Sequence, residues 1–152
     1  MAILNYSTKV DPHRSVNEIQ KILGAKGCRS ISIDYDATGN PQAVLFLLVV
    51  GDNEVYFRLP RNAEGVFAAL KKAKNAGELN GMAWRDITRE RSEWISWRIV
   101  KDWVAAQLAL IEAGQAQMAE VFLPYAVTNQ LGQTMFQRFL ESNTKQLAEV
   151  NE

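Results

Sequence analysis

The hydrophobic pattern of the first sixty residues changes from helical spacing to strand spacing. Apolar residues spaced three and four apart predict a first helix at about residues 16–25. Ser15 and Glu18 have the spacing of a capping box, which favours Ser15 as the N-cap. Further along, alternating apolar and polar residues at 29–35 and 54–59 flank a continuous apolar run at 43–50. This arrangement predicts a three-stranded antiparallel meander with the most buried strand in the middle.

Helical spacing returns after the third predicted strand. Asn62 follows Pro60 and can cap a second helix over residues 63–74. A polar stretch with two glycines at residues 75–81 then resembles a linker. We therefore predict one α+β domain over residues 1–152, with an N-terminal helix, a three-stranded meander and a helix, followed by a long helix and a C-terminal helix. Residues 1–75 form its α-β-β-β-α part and residues 82–152 its helical part.

The longest helical pattern begins after Thr88, a plausible N-cap, and continues to about Phe122, with Gly114 as the point of a bend or a break. Apolar residues recur in it every seven positions, at Trp97, Val104, Ile111 and Met118. Unbroken, this helix would be about 50 Å long, more than the width of a small domain. It must bend back or pack on another chain, and the second option predicts a homo-oligomer.

Pro124 ends that pattern, and a last helix is predicted at about residues 134–148. Its apolar residues share one helical face, which predicts that they point inward against the rest of the domain. They are Phe136, Phe139, Leu140 and Leu147.

Composition indicates an ordinary soluble protein. The 152 residues are 47% hydrophobic and 22% charged, and the one cysteine, Cys28, cannot form an intrachain disulfide. The first ten residues lack the apolar core of a signal peptide, and the run at 43–50 is far too short to cross a bilayer. We expect a cytoplasmic protein with no membrane association.

Chemical motifs are scarce. The only histidine, His13, and Cys28 are too few and too far apart for a zinc site, and no phosphate-binding glycine motif is present. Asp34 and Asp36 have a spacing compatible with Mg²⁺, but turn chemistry next to Gly39 explains them more simply. We expect no catalytic residues, no metal and no cofactor, and therefore a protein that is not an enzyme.

Charge is distributed unevenly along a chain whose formal net charge is zero. Residues 58–101 carry ten basic and five acidic side chains, whereas residues 102–152 carry two basic and six acidic ones. Clustered lysine and arginine suit phosphate contacts, and Tyr56, on the same strand face as Arg58, suits stacking on a base. The alternative is a solvated, lysine-rich helix end. The basic candidates are Arg58, Arg61, Lys71, Lys72 and Lys74.

All four tryptophans lie between residues 84 and 103, interleaved with arginine and lysine. Such interleaving suits both nucleic-acid stacking and protein interfaces. Trp94 and Trp97 fit the inward stripe of the long helix, so core packing is their expected role. Trp84 lies outside that periodicity, and Trp84 and Arg85 are the better candidates for an exposed binding site.

Two resemblances bear on function. The element order of residues 15–74 resembles double-stranded-RNA-binding domains and the core of single-strand annealing proteins, although Lys71-Lys72-Ala73-Lys74 lies at the C-terminal end of its helix, whereas the RNA-binding signature is N-terminal. Several scattered stretches resemble a group of small uncharacterised proteins encoded by phages and prophages. They are Thr8-Lys9-Val10, Phe57-Arg58-Leu59-Pro60, Trp97-Arg98-Ile99-Val100-Lys101-Asp102-Trp103 and Val121-Phe122-Leu123-Pro124-Tyr125.

These observations lead to two hypotheses. The first is a non-enzymatic accessory protein that binds nucleic acid, preferentially single-stranded DNA, in phage replication or recombination. The alternative is a protein-binding inhibitor of a host nuclease or defence system, acting through the long helix and the acidic C-terminal region. Salt dependence separates the two, because phosphate contacts weaken steeply as salt rises.

Overall fold

The computed structural model describes residues 3–150, and side chains as far as residue 142. It has the predicted α+β architecture. Within the described residues, no helix is both long and apolar enough to cross a membrane. In chain order the elements are α1 (Pro12–Gly24), β1 (Ser30–Tyr35), β2 (Pro41–Val50), β3 (Asn53–Arg58), α2 (Ala63–Asn75), α3 (Arg89–Glu112), α4 (Met118–Phe122) and α5 (Met135–Val150).

The three strands form the predicted antiparallel meander in the order β1-β2-β3, with β2 in the centre. The register pairs Phe46 with Phe57, and both are buried on the inner face of the sheet. Because side chains alternate between faces along a strand, the neighbouring pairs Leu47–Tyr56 and Leu45–Arg58 belong to the outer face. The sheet therefore has one face in the core and one that carries two of the candidate site residues.

The main core lies between the inner face of the sheet, α1 and α3. Phe46 stacks on Phe57 with ring centroids 5.3 Å apart and meets Phe122 edge-on at 5.1 Å. Trp97 of α3 is fully buried, and its Nε1 donates a hydrogen bond of 3.2 Å to the carbonyl of Pro41. The core-packing role predicted for Trp97 is confirmed.

A second, smaller core lies on another side of α3, where α2 packs. Leu70 of α2 and Ile95 of α3 are fully buried there. Leu79 and Met82, which lie in and just after the predicted linker, are also buried in this core. The segment between α2 and α3 is therefore folded against the core that these two helices share.

The first helix begins earlier than predicted. Its N-cap is Asp11, whose Oδ1 accepts a hydrogen bond of 3.0 Å from the backbone N of Arg14, and Pro12 occupies the first helical position. Proline is favoured there because its missing N–H needs no partner. The prediction that Ser15 is the N-cap is wrong. Ser15 is a fully buried residue within the helix, and its Oγ accepts a long hydrogen bond of 3.5 Å from the Nη1 of Arg98 in α3.

The long helical pattern is interrupted at the predicted glycine. Thr88 caps α3 as expected, with its Oγ1 accepting from the N of Arg91 at 3.0 Å. Gly114 has a φ of 74°, a conformation that glycine adopts without strain, and the helix stops at Glu112. The chain turns back through α4, which brings Phe122 into the main core. The apolar stripe of α3 is consequently satisfied within its own chain.

The inward orientation predicted for the last helix is wrong for two of its residues. Phe136 is 50% exposed and Leu140 is 45% exposed, while Phe139 is partly buried; the Leu147 side chain lies outside the described residues. The reason is the path of the preceding segment, in which Ala126 bridges to Phe57 at the edge of the sheet. After this edge pairing the chain enters α5 with Phe136 and Leu140 about half exposed.

Candidate nucleic-acid interface

The eight residues predicted to bind nucleic acid do not form one surface. Tyr56 and Arg58 lie on the outer face of the sheet, where both are exposed. Arg58 borders a shallow groove of about 440 Å³ together with Gln137 and Glu141 of α5. The lysines of α2 instead lie on a helix that packs against α3 in the second core, not in the main core that the sheet forms.

Arg61 is part of the interior instead. Its side chain is 12% exposed and forms an ion pair with Glu93 of α3. The guanidinium carbon lies 5.6 Å from the centre of the Trp97 ring, and Nη1 donates to the carbonyl of Gln42 at 3.3 Å. These contacts join β2 to α3 and leave the arginine little surface for a ligand.

The three predicted lysines all lie in the last two turns of α2. Lys71 and Lys72 are exposed, and the Lys71 Nζ lies 4.2 Å from the centre of the Phe67 ring. Lys74 is partly buried, and its Nζ donates to the backbone carbonyl of Met82. Lys74 thereby connects the end of α2 to the segment that leads into Trp84.

Trp84 and Arg85 occupy a short 3-10 turn, Trp84–Asp86, just before α3. The turn is closed by Asp86, whose Oδ2 accepts a hydrogen bond of 3.1 Å from the N of Ala83. Trp84 is 52% exposed, as predicted, and Arg85 is exposed beside it. The Lys74 contact links the end of α2 to the segment just before these two residues, and Lys71, Lys72, Lys74, Trp84 and Arg85 are together called the basic-aromatic surface below.

A cavity of about 510 Å³ adjoins this surface at Arg85. The Nε of Arg91 is buried and has no hydrogen-bond partner among the described residues. Trp94, predicted to be in the core, is only partly buried and borders the same space. The side chains that matter for its chemistry are Tyr6, Arg85, Asp86, Glu90, Arg91 and Trp94.

Sequence patterns missed part of this cavity. Arg91 was visible as one of the basic residues between the tryptophans, but the periodicity of α3 gave no sign that it and Trp94 would border an open space. Tyr6 lies in an N-terminal segment with no helical or strand pattern. Its contact with the second core arises only when the chain folds, so no local signal identifies it.

The remaining candidate chemistry is structural. Burial raises the pKa of the Cys28 thiol to about 11, so this cysteine is protonated at neutral pH and is a poor nucleophile. Asp36 accepts hydrogen bonds from the backbone N of Asn40 and from Thr38, and these bonds lower the pKa of its carboxyl group. In the described part of the chain, no three His, Cys, Asp or Glu side chains converge as metal ligands.

No family model, curated protein sequence or solved structure matches this chain. Any assignment of function therefore depends on the chemistry of the surfaces described above.

Proposed function

We propose that this protein is a non-enzymatic accessory protein that binds single-stranded nucleic acid through the basic-aromatic surface. The observation that carries the proposal is the exposed Trp84 ring next to Arg85, on a turn fixed to the lysine-bearing end of α2. The resemblance to phage and prophage proteins suggests a role in phage DNA replication or recombination in the host cytoplasm.

Each member of the surface has a distinct expected role. Lys71, Lys72 and Arg85 are exposed cations that would contact phosphates, which gives affinity without sequence specificity. Trp84 offers a ring face on which an unpaired base can stack, a contact worth roughly 1–3 kcal/mol. Lys74 is occupied by the carbonyl of Met82 and would act by positioning the turn.

A preference for single strands follows from the stacking contact. Bases in a duplex are stacked on each other, so their faces are not available to Trp84, whereas bases in a single strand are. The excess of basic residues between positions 58 and 101 supports an anionic partner. We expect single-stranded DNA to bind, and its affinity is to be compared with that of single-stranded RNA.

The test is a titration of labelled single- and double-stranded DNA and RNA at two salt concentrations. We expect single strands to bind more tightly than duplexes and affinity to fall steeply with salt. Trp84→Ala should weaken single-strand binding by about 10-fold, from the loss of one stacking contact. A joint Lys71→Ala and Lys72→Ala change should weaken it as well and reduce its salt dependence.

Matched controls come from the other predicted residues. Arg58→Ala and Tyr56→Ala remove exposed side chains of the same kinds from the outer face of the sheet. If these two variants lose binding and the variants of the basic-aromatic surface do not, the outer face is the nucleic-acid interface. Absence of binding to every strand type at low salt would refute the proposal.

The alternative function, binding to a protein such as a host nuclease or a defence factor, is supported by a separate observation. Leu131 is 88% exposed, and Phe136 and Leu140 are each about half exposed at the C-terminal end of the described side chains. Exposed apolar side chains this close together are typical of protein interaction sites. This surface is also a better candidate than α3 for self-association, because Trp97, Val104 and Leu108 of the α3 stripe are buried in the main core.

Phe136→Ser with Leu140→Ser separates these possibilities. If light scattering shows that the double variant loses an oligomer formed by the unaltered protein, the apolar surface mediates self-association. If the molecular mass is unchanged but the variant no longer binds a nuclease that the unaltered protein binds, the surface is the site for that partner. In either case nucleic-acid binding should be unaffected.

A further inference from the structure

We infer that the cavity beside Arg85 is a binding site for one nucleotide whose base carries an amino group. The inference extends the proposed function, because a strand held on Lys71, Lys72 and Trp84 would pass Arg85 and place one of its nucleotides in the cavity. Arg85 belongs to both places, since it is exposed on the surface and borders the cavity.

The size of the cavity suits such a ligand. Its volume of about 510 Å³ lies within the range of about 300–1,000 Å³ that is usual for small-molecule sites. Its walls come from the N-terminal segment, residues 80–82, the 3-10 turn and the first turns of α3. Two of these segments are held by other contacts, since Asp86 closes the 3-10 turn and Thr88 caps α3. The site is therefore largely formed before a ligand arrives.

Arg85 and Arg91 provide the anionic end of the site. Guanidinium groups match the geometry of phosphate oxygens and often bind them with two parallel hydrogen bonds. The Nε of Arg91 is buried without an acceptor in the described part of the chain, and a buried donor left unpaired destabilises a protein by about 1–3 kcal/mol. Arg91 borders the cavity, so a phosphate oxygen there would become the acceptor of the Nε once the guanidinium group turns toward it.

The other side chains suit a base instead of a second phosphate. Tyr6 and Trp94 contribute aromatic surface, and Asp86 and Glu90 contribute carboxylates. One oxygen of Asp86 already accepts from Ala83, so Glu90 is the stronger candidate for a ligand contact. Carboxylates accept hydrogen bonds from the exocyclic amino group of cytosine. Uracil and thymine lack this amino group. The cavity is lined by two arginines and two carboxylates, which favours a ligand with an anionic group at one end and a hydrogen-bond donor at the other.

The experiment uses the full chain with CMP, UMP and inorganic phosphate as probes, measured by isothermal titration calorimetry. We expect CMP to bind more tightly than UMP, and phosphate alone to bind more weakly than CMP. Arg91→Gln should weaken CMP binding about 10- to 100-fold, the equivalent of losing one charged hydrogen bond. The matched control is Arg138→Gln, which removes an exposed arginine of α5 and should leave CMP binding unchanged.

Glu90→Gln tests the base contact without removing the phosphate contact. Glu90 is exposed, so this variant should fold normally even if Arg91→Gln does not. We expect it to reduce the preference for CMP over UMP. Equal binding of CMP and UMP by the unaltered protein would refute the assignment of the base, and the absence of saturable binding at millimolar CMP would overturn the inference.

The two proposals fail in different ways. If oligonucleotides bind and depend on Trp84, but CMP does not bind and Arg91→Gln leaves oligonucleotide affinity unchanged, the cavity inference is wrong and the proposed function stands. If CMP binds and depends on Arg91 but oligonucleotides bind no more tightly than CMP, the cavity is a site for free nucleotides and the proposed function is wrong.

Discussion

Replacing Trp97 by phenylalanine tests whether the main core is organised around this residue. Trp97 is fully buried on α3, and its Nε1 is the donor to the carbonyl of Pro41 at the start of β2. Phenylalanine keeps an aromatic ring in place but removes the donor and part of the ring. The change therefore tests both the packing and the hydrogen bond between helix and sheet.

The expected loss is about 3 kcal/mol of unfolding free energy. The Pro41 carbonyl keeps a longer contact of 3.4 Å from the Gln42 Nε2, but loss of the shorter bond from the buried Trp97 Nε1 costs about 1–3 kcal/mol. The smaller ring buries less apolar surface and leaves a gap, which adds roughly 1 kcal/mol. For a chain of 152 residues, each kcal/mol corresponds to about 2–4 °C in Tm, so we expect Tm to fall by about 6–12 °C.

Urea unfolding followed by circular dichroism measures the difference directly, and a thermal scan gives the change in Tm. Trp84→Phe is the matched control, because the same replacement at a half-exposed position should change stability by less than about 0.5 kcal/mol. A loss below about 1 kcal/mol for Trp97→Phe would show that neither the hydrogen bond nor the packing of this ring contributes as the structure indicates.

Three further predictions follow from buried or paired groups. Arg61→Ala removes the ion-pair partner of Glu93 and should lower the free energy of unfolding in urea by about 2 kcal/mol, with little change in oligonucleotide affinity. Lys72→Ala should weaken oligonucleotide binding and leave the free energy of unfolding nearly unchanged. Burial raises the pKa of Glu18, but the hydrogen bond and charge of Arg98 outweigh it and leave that pKa lowered. The unaltered protein should therefore be more stable to unfolding than Glu18→Gln at pH 7, and this difference should decline as pH falls below about 4.5. A stability difference that does not change with pH would contradict this. Cys28, with a pKa of about 11, should react with iodoacetamide at pH 8 about 100-fold more slowly than a free thiol, and equal rates would show that the thiol is not buried.

The order of elements was predictable because each leaves a local signature. The alternation around Phe57, the continuous run of β2 and the Asn62 cap depend on neighbours a few residues apart, and local chemistry determines them. The first N-cap was misplaced because both Asp11 and Ser15 are suitable N-cap residues. Pro12 favours the earlier start, and the partner of Ser15 is Arg98, which is far away in the sequence.

The last helix shows where periodicity stops being informative. The spacing of Phe136 and Leu140 correctly predicts an amphipathic helix, but it does not specify what covers the apolar side. That depends on the path of residues 126–134, in which Ala126 bridges to Phe57 of β3 and Val127 bridges to Thr134 before α5 begins. Both side chains are therefore left exposed.

The arrangement of the candidate binding residues was not predictable from the sequence. The sequence analysis grouped Arg58, Arg61 and Lys72 as one basic cluster because they are close in sequence. In the fold, Arg58 lies on the outer face of the sheet and Arg61 is paired with Glu93. Nothing in the sequence near Arg61 indicates that its ion-pair partner lies about thirty residues later. Counting basic residues along the chain therefore overestimates how many of them are available to a ligand.

The contact between Lys74 and Met82 explains why the basic-aromatic surface and the cavity are better considered together. This bond fixes the segment that precedes Trp84, while Met82 itself is buried in the second core. The same turn carries Arg85 into the cavity wall. A ligand that orders Arg85 therefore acts on a turn already attached to α2, so little conformational entropy is lost on binding. Because a bound strand would itself fill the cavity beside Arg85, free CMP should compete with an oligonucleotide for binding.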